Sequence, residues 1–433
     1  MRHTTSVART ALMLEDHSFT AAAGGSVTLE PAVRQLCHTV RRWQEGDLPA
    51  FLTLINQAEQ VKSSQSWAER IRARAERLLL FGIGGSSLGG EMLVRTAGHN
   101  TFPVLFHDNV DPVSLTHLDQ IDWRHSFALF VSKSGNTAET LSQLLMILPD
   151  LEAQLGDQLP HHVAVITENP HQALGQIATE LGWPQILHPA VGGRFSVLSV
   201  VGMLPAALAG VDLVALQSGA QQMMQRCLSD DCTTNPALLA SAAQWHMATA
   251  GRDITIQMHY GDRLDRLTAW FGQLWGESLG KRNTRGQRCG LTPIAARGVT
   301  DQHSQLQLYL DGPPDKQFTL LHDPQSAQQG RTLPCRFQSM EALAPLVNRP
   351  IGALFEAEFL GSRDTLIASG APVRTFHLAA GDAFALGELI VLLETETALT
   401  AELFGINAFD QPAVEDGKRR ARVYLQQITE NRS

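Results

Sequence analysis

Residues 81–90 read FGIGGSSLGG, and the apolar run RLLLFGI (77–83) leads straight into them. An apolar run ending in glycines and serines reads as a parallel strand turning into a helix. Gly82, Gly84 and Gly85 let the backbone approach a ligand closely. The helix that follows aims its free N–H groups at the same place, which suits a phosphate or another anion. In open α/β sheets, ligands lie at the carboxyl ends of the strands. The stretch is not GxxxxGK[ST], which disfavours a P-loop. No acidic residue sits at the end of a second strand in the way expected of a ribose partner, which disfavours a nucleotide-dependent oxidoreductase.

The same alternation extends outward. RLLLFGI, PVLFHD (103–108), FALFVS (127–132), HVAVIT (162–167) and PQILH (184–188) are β-rich runs. Between them, SSLGGEMLVRTAG (86–98), SLTHLDQI (114–121), TAETLSQLLMIL (137–148) and PHQALGQIATELG (170–182) read as helices. Continuous apolar strands alternating with helices predict a three-layer α/β/α arrangement, a parallel sheet covered on both faces. A second such region is expected after residue 220. Its strands would be DITIQMHYG (253–261), LQLYLDG (306–312), QFTLLHD (317–323) and VRTFHLA (373–379). Its helices would be TAWFGQLWGESLGK (268–281), MEALAPLVNRPI (340–351) and ALGELIVLLETETALTAEL (385–403). Upstream, VRQLCHTVRRWQ (33–44) and SWAERIRARAERL (66–78) carry apolar residues at three- and four-residue spacings. The expected organisation is a helical segment over 1–75, one α/β domain over 76–220 and a second over 221–433. The second closes on a C-terminal helix, QPAVEDGKRRARVYLQQI (411–428).

Composition narrows the class. The chain has 433 residues, 44% hydrophobic and 18% charged, which describes a globular protein of two or three domains. A formal charge of −9 argues against an extended nucleic-acid surface. MRHTTSVARTALMLEDH (1–17) offers too short an apolar stretch for a secretory signal. The longest apolar run, VLSVVGMLPAALAGV (197–211), is interrupted by Gly202 and Pro205 and reads as a buried helix, not a membrane span. Cys37, Cys227, Cys232, Cys289 and Cys335 form no disulfide or zinc pattern, so reduced thiols and a cytoplasmic location are expected. No metal-ligand spacing such as HExxH occurs. Of 34 Lys plus Arg only five are lysines: Lys62, Lys133, Lys281, Lys316 and Lys418. A retained lysine draws notice where a compact ammonium is required.

FALFVSKSGNTAETLSQLL (127–145) repeats the opening layout. Ser132, Lys133, Ser134, Asn136 and Thr137 gather at a helix N-terminus, with Thr140 one turn in. Hydroxyls and amides there can hold the oxygens of a phosphomonoester, and the helix dipole favours its charge. An ordinary N-cap needs only one such residue. With Gly84, Gly85 and Ser86 on a neighbouring loop, the pair of loops predicts a sugar-phosphate site.

These stretches, together with VGGRFSVLS (191–199), QLWGESLGK (273–281), GVTDQHSQLQLYLDGPPDK (298–316) and INAFDQPAVEDGK (406–418), resemble the glucose-6-phosphate isomerase family in the same order. That family is built from two sugar-isomerase (SIS) domains. The likeness runs from residue 82 to 418, and residues 1–75 carry no specific match. It implies an isomerase of glycolysis and gluconeogenesis that interconverts glucose 6-phosphate and fructose 6-phosphate without metal or cofactor. Such a reaction moves a proton between adjacent carbons through a cis-enediol, which one carboxylate can do as base and then acid. Glu277 matches the family's base. A fixed guanidinium stabilises the charge developing on the enediol oxygens, and Arg194, after Gly192 and Gly193, matches that role, with Gly193 beside the substrate. The cyclic sugar must first open, which needs an acid at the ring oxygen and a base at the anomeric hydroxyl. His303 and Lys418 match the ring-opening pair. In the family the histidine comes from the partner subunit, so the resemblance implies a homodimer with shared active sites.

Some features depart from the family. The loop SKSGNTAET is slimmer than the threonine-rich versions of many longer members, Ser87 stands where an acidic residue is common, and the length fits the compact microbial branch. A bifunctional phosphoglucose/phosphomannose isomerase stays open on these grounds. A non-catalytic sugar-phosphate-binding SIS regulator could dispense with Glu277, Arg194, His303 and Lys418, and all four are present. Asn109 and Asp111 read as bracing the first domain and Lys316 as structural. Lys281 reads as pairing near Glu277 or capping its helix.

Overall fold

The computed structural model describes residues 12–99, 101–379 and 381–430. The leading stretch read as free of a secretory signal lies outside them up to residue 11. The described chain opens with a strand, β1 (Met13–Asp16), where a helical segment was expected. Helices follow, chiefly Gly25–Gln44 and Ala58–Arg72.

The five apolar runs then become β2 (Arg77–Phe81), β3 (Val104–His107), β4 (Ser126–Val131), β5 (Val163–Thr167) and β6 (Gln185–Leu187). They form an all-parallel sheet in the order β3-β2-β4-β5-β6. Alternate residues serve opposite faces, as the pleat requires. Leu78, Leu80, Phe127 and Leu129 join one core, while Leu79, Phe81, Ala128 and Phe130 join another. The run at 197–211 supplies the helix Val200–Leu208, all of it buried on the first of these cores.

The second sheet is built from β7 (Ile254–Tyr260), then, past the small hairpin β8 (Lys281–Arg282) and β9 (Arg288–Cys289), from β10 (Thr292–Gly298), β11 (Lys316–His322) and β12 (Val373–His377). Its order is β1-β12-β11-β7-β10. The last four strands are parallel, and β1 lies antiparallel on β12.

Two expectations fail in this half, and one strand went unpredicted. LQLYLDG is a helix, Leu306–Asp311. Leu306, Tyr309 and Leu310 stand at helical spacing, and the Tyr309 ring meets Phe318 edge-on at 5.4 Å. MEALAPLVNRPI is a run of turns, because Pro345 and Pro350 interrupt it; the helix begins only at Ile351 and continues to Ala368. The strand β10 carried little apolar signal. It is an edge strand, where Pro293 is tolerated.

The helix Ala383–Phe404 is buried from Ala383 through Ala401. It packs on the helices Leu213–Cys227 and Pro236–Thr249. The approach is backbone to backbone: a Cβ on Gly219 would lie 1.9 Å from the Phe384 carbonyl oxygen, and one on Gly387 would lie 2.1 Å from that of Leu216. Along this helix Glu396 takes Arg374 bidentately at 2.9 and 3.0 Å. Glu394, equally buried, leaves Oε1 without a partner. The final helix, Val414–Glu430, presents exposed side chains from Val414 to Ile428. Among the described residues, no helix is long and apolar enough to cross a membrane.

Candidate active site

The glycine-rich turn after β2 owes its bare backbone to crowding. It sits beside the end of β4, where a Cβ on Gly82 would lie 3.2 Å from the Val131 carbonyl oxygen. A Cβ on Gly85 would fall 2.2 Å from the carbonyl carbon of Gly193, and one on Gly84 would meet Gln273 Nε2 at 3.1 Å. Gly84 also holds a φ of +59°, which favours glycine. Three segments therefore cross here: the GIGGSS turn, the GGR turn, and the helix Asp265–Leu279 that carries Glu277. Ser86 closes the 3₁₀ turn Gly84–Ser86, half-buried, and Ser87 Oγ is buried without a partner.

Arg194 sits at the crossing and is 1% exposed. Each of its five N–H donors is committed. Nε donates to Ser278 Oγ at 2.7 Å, and Nη1 donates to Glu277 Oε2 at 3.1 Å and to Gln411 Oε1. Nη2 donates to the carbonyls of Ala408 and Asp410. Burial lowers the guanidinium's pKa below its ordinary value, and the Glu277 carboxylate is the main opposing charge. Glu277 is half-buried, and its other oxygen, Oε1, accepts from Gln273 Nε2 at 3.1 Å. The carboxylate is thus oriented from both sides. Its helix is locked by buried Trp270 and Trp275, and Trp270 Nε1 donates to the Arg194 carbonyl at 3.3 Å.

The hydroxyl loop follows β4. Ser132 Oγ and Thr137 Oγ1 share a hydrogen bond of 2.8 Å, and Gly135 N donates to Ser132 Oγ at 3.1 Å. Gly135 has a φ of +70°. Ser134 Oγ accepts from Asn136 N at 3.2 Å. Asn136 spends its amide on the next loop, donating to Gln172 and accepting from Ala173 N. Lys133 pairs with Glu168 at 3.6 Å, both partly exposed. Thr137 opens the helix Ala138–Leu155 without a side-chain cap bond. Thr140 is fully buried and its hydroxyl has no partner.

His303 and Lys418 stand apart from this knot. His303 ends the 3₁₀ turn Thr300–His303 beyond β10 and is exposed. Lys418 lies on the exposed C-terminal helix and pairs with Glu415 at 2.8 Å. Among the described residues, neither shares a hydrogen bond or ion pair with Glu277 or Arg194. Lys281 neither pairs with Glu277 nor caps its helix; it pairs with Asp410 at 2.8 Å and donates to the Asn407 carbonyl. Lys316 is buried against Asp315 and the Pro313 carbonyl, a structural position. Asp111 caps a short helix through Val113 N, and the Asn109 carbonyl accepts from Gln143.

Three polar contacts to the central pair were not singled out from sequence: Gln273, Ser278 and Gln411. Gln273 had a signal, since it precedes Glu277 by four residues on one helix face. Gln411 had none, because it lies 217 residues from Arg194.

Comparisons with known proteins agree on one family. The family profile described as phosphoglucose isomerase matches residues 50–314. A glucose-6-phosphate isomerase of Rubrobacter xylanophilus is 38% identical over 387 residues, covering 86% of this chain and 88% of its own. One of Thermus thermophilus is 36% identical over 401 residues, 92% of this chain and 94% of its own. The crystal structure of a hypothetical protein from Thermus thermophilus superposes with a TM-score of 0.85 at 34% identity, covering 96% of this chain and 99% of that one. A glucose-6-phosphate isomerase of Chlamydia trachomatis, at 20% identity, shares the fold with a TM-score of 0.77 over 96% of this chain and 87% of its own.

Proposed function

The chain belongs to the phosphoglucose isomerase family, and on that premise we propose how its residues divide the work. It is an aldose–ketose isomerase with two SIS-type α/β domains, interconverting glucose 6-phosphate and fructose 6-phosphate. Glu277 carries the proton between C1 and C2, as base and then acid. Arg194 faces the charge that develops on the enediol oxygens. Its Nη1 is shared between two side-chain acceptors, Glu277 and Gln411, and an incoming oxygen takes the place of one of them. That shared donor, beside a half-buried carboxylate at a crossing of bare glycines, is the observation that carries the reading.

Ser132, Lys133, Ser134, Asn136, Thr137 and Thr140 hold the phosphate at the N-terminus of the helix Ala138–Leu155, where free N–H groups and the dipole favour it. Gly84, Gly85, Ser86 and Gly193 line the approach between that loop and Glu277. His303 and Lys418 open the ring. The exposure of His303 in one chain supports a homodimer in which the partner's histidine completes each site. The division at residues 75 and 220 and a cytoplasmic location belong to the same proposal. A coupled assay of fructose 6-phosphate turnover, run beside mannose 6-phosphate, tests it: turnover of the first is expected, and comparable turnover of the second marks the bifunctional alternative.

A further inference from the structure

We infer that Lys281 is a positioning residue: through Asp410 it fixes the arm that carries Lys418. The inference rests on the reading of Lys418 as a ring-opening group. Lys281 follows directly on the helix of Glu277, and its side chain is 8% exposed. Its ammonium donates to the Asn407 carbonyl and pairs with Asp410 Oδ1 at 2.8 Å. Burial lowers its pKa and Asp410 opposes that, so the carboxylate is what keeps a buried ammonium tolerable there. A compact ammonium with three donors fits a carbonyl and a carboxylate at once, in a chain that elsewhere prefers arginine.

Asp410 is gripped a second time, where its carbonyl accepts from Arg194 Nη2 at 3.0 Å. Between these holds, the ring of Phe409 lies 5.3 Å from that of Phe195 and 6.2 Å from that of Phe51. Residues 407–411 are therefore clamped by two cations and an aromatic cluster. Beyond Gln411, among the described residues, no ion pair ties the arm to the rest of the chain. The helix Val414–Glu430 is exposed, and its ion pairs, Lys418 with Glu415 and Arg419 and Arg420 with Asp416, stay within it. The direction in which the helix leaves, and so the place of Lys418, is set at Asp410.

The test uses the full-length protein with Lys281→Met and Asp410→Asn, beside Lys418→Ala and the double variant Lys281→Met/Lys418→Ala. Asp410 is half-exposed, so its variant serves where Lys281→Met fails to fold. Each latch variant is expected to slow fructose 6-phosphate turnover on the order of 10- to 100-fold, as misplacement of a reacting group does. A shorter aldose phosphate that cannot close a six-membered ring is expected to turn over normally. Adding Lys281→Met to Lys418→Ala is expected to cost nothing further, since one acts through the other. Amide hydrogen exchange is expected to quicken over residues 412–420 and not over the helix Asp265–Leu279. Losses that multiply in the double variant, or unchanged exchange over 412–420, overturn the inference. If Lys418→Ala itself leaves turnover intact, the reading of Lys418 is what fails, and the exchange measurement alone then decides the latch.

Discussion

Arg194 and Lys418 are two cations matched to one site, in opposite surroundings. Arg194 is buried, and all five of its donors are used. Lys418 is exposed, with one partner three residues away on its own helix. A group that must face charge developing on a fixed atom gains from rigid placement, because no reorganisation is then needed during reaction. A group carried on an exposed helix has no such frame around its own side chain. The contrast separates a group fixed by its own contacts from one placed only through the arm that carries it.

Four experiments press on that contrast. The largest effect is expected at the rigid end. Glu277→Gln keeps an oxygen for Arg194 Nη1 but cannot accept a carbon-bound proton. Turnover is expected to fall by about 10²–10⁴-fold, with the Michaelis constant and the melting temperature nearly unchanged. Wild-type turnover would remove the buried knot from the chemistry. The second experiment addresses the open end. His303→Ala and Glu277→Gln proteins, each nearly inactive alone, are mixed under conditions of subunit exchange. Partial recovery is expected, because a mixed dimer holds one site with both groups intact. No recovery despite demonstrated exchange would mean that one chain supplies both residues.

The third experiment lies between the two ends. Ser132→Ala combined with Thr137→Ala should raise the Michaelis constant for fructose 6-phosphate by roughly tenfold or more, since hydrogen bonds to charged groups are lost, and lower turnover less. An unchanged Michaelis constant would place the phosphate elsewhere. The smallest effect concerns a buried carboxyl without Arg194's partners. Burial holds the carboxyl of Glu394 well above its ordinary pKa. The folded state then keeps this proton to a higher pH than the unfolded state does, so stability falls as pH rises from the unfolded pKa towards the folded one. Glu394→Gln should leave activity alone and flatten that decline. Denaturant midpoints measured across pH would check it, and an unaltered slope would show that Glu394 does not contribute to it.

The first sheet was legible because β2, β4 and β5 are covered on both faces and so are written in unbroken apolar residues. β10 was not, because an edge strand with Pro293 needs no such run. The segment 306–312 misled because its leucines suit either period, and only contact with Phe318 selects the helix. In the candidate site, the hydroxyl loop declared itself by composition. The meeting of Arg194 and Glu277, 83 residues apart, was not written in any local spacing and followed only from the resemblance. The saturation of Arg194 by the 408–411 backbone and Gln411 lay beyond both, since main-chain carbonyls leave no mark in sequence.

The strand β1 has a consequence for the isolated chain in solution. It lies on the outer side of β12, where it pairs Met13 with His377 through to Asp16 with Arg374. Without it, β12 would present a row of unpaired N–H and C=O groups, which is a template for pairing with another molecule. Glu15 reaches towards His17 and His377 at 3.5 and 3.4 Å, and Asp16 caps the turn that follows through Phe19 N. A shortened chain starting at residue 18 would keep every group named in the candidate site, yet it would carry a bare edge along β12 from Arg374 to His377. Its failure would show first as turbidity and shelf life, not as lost turnover.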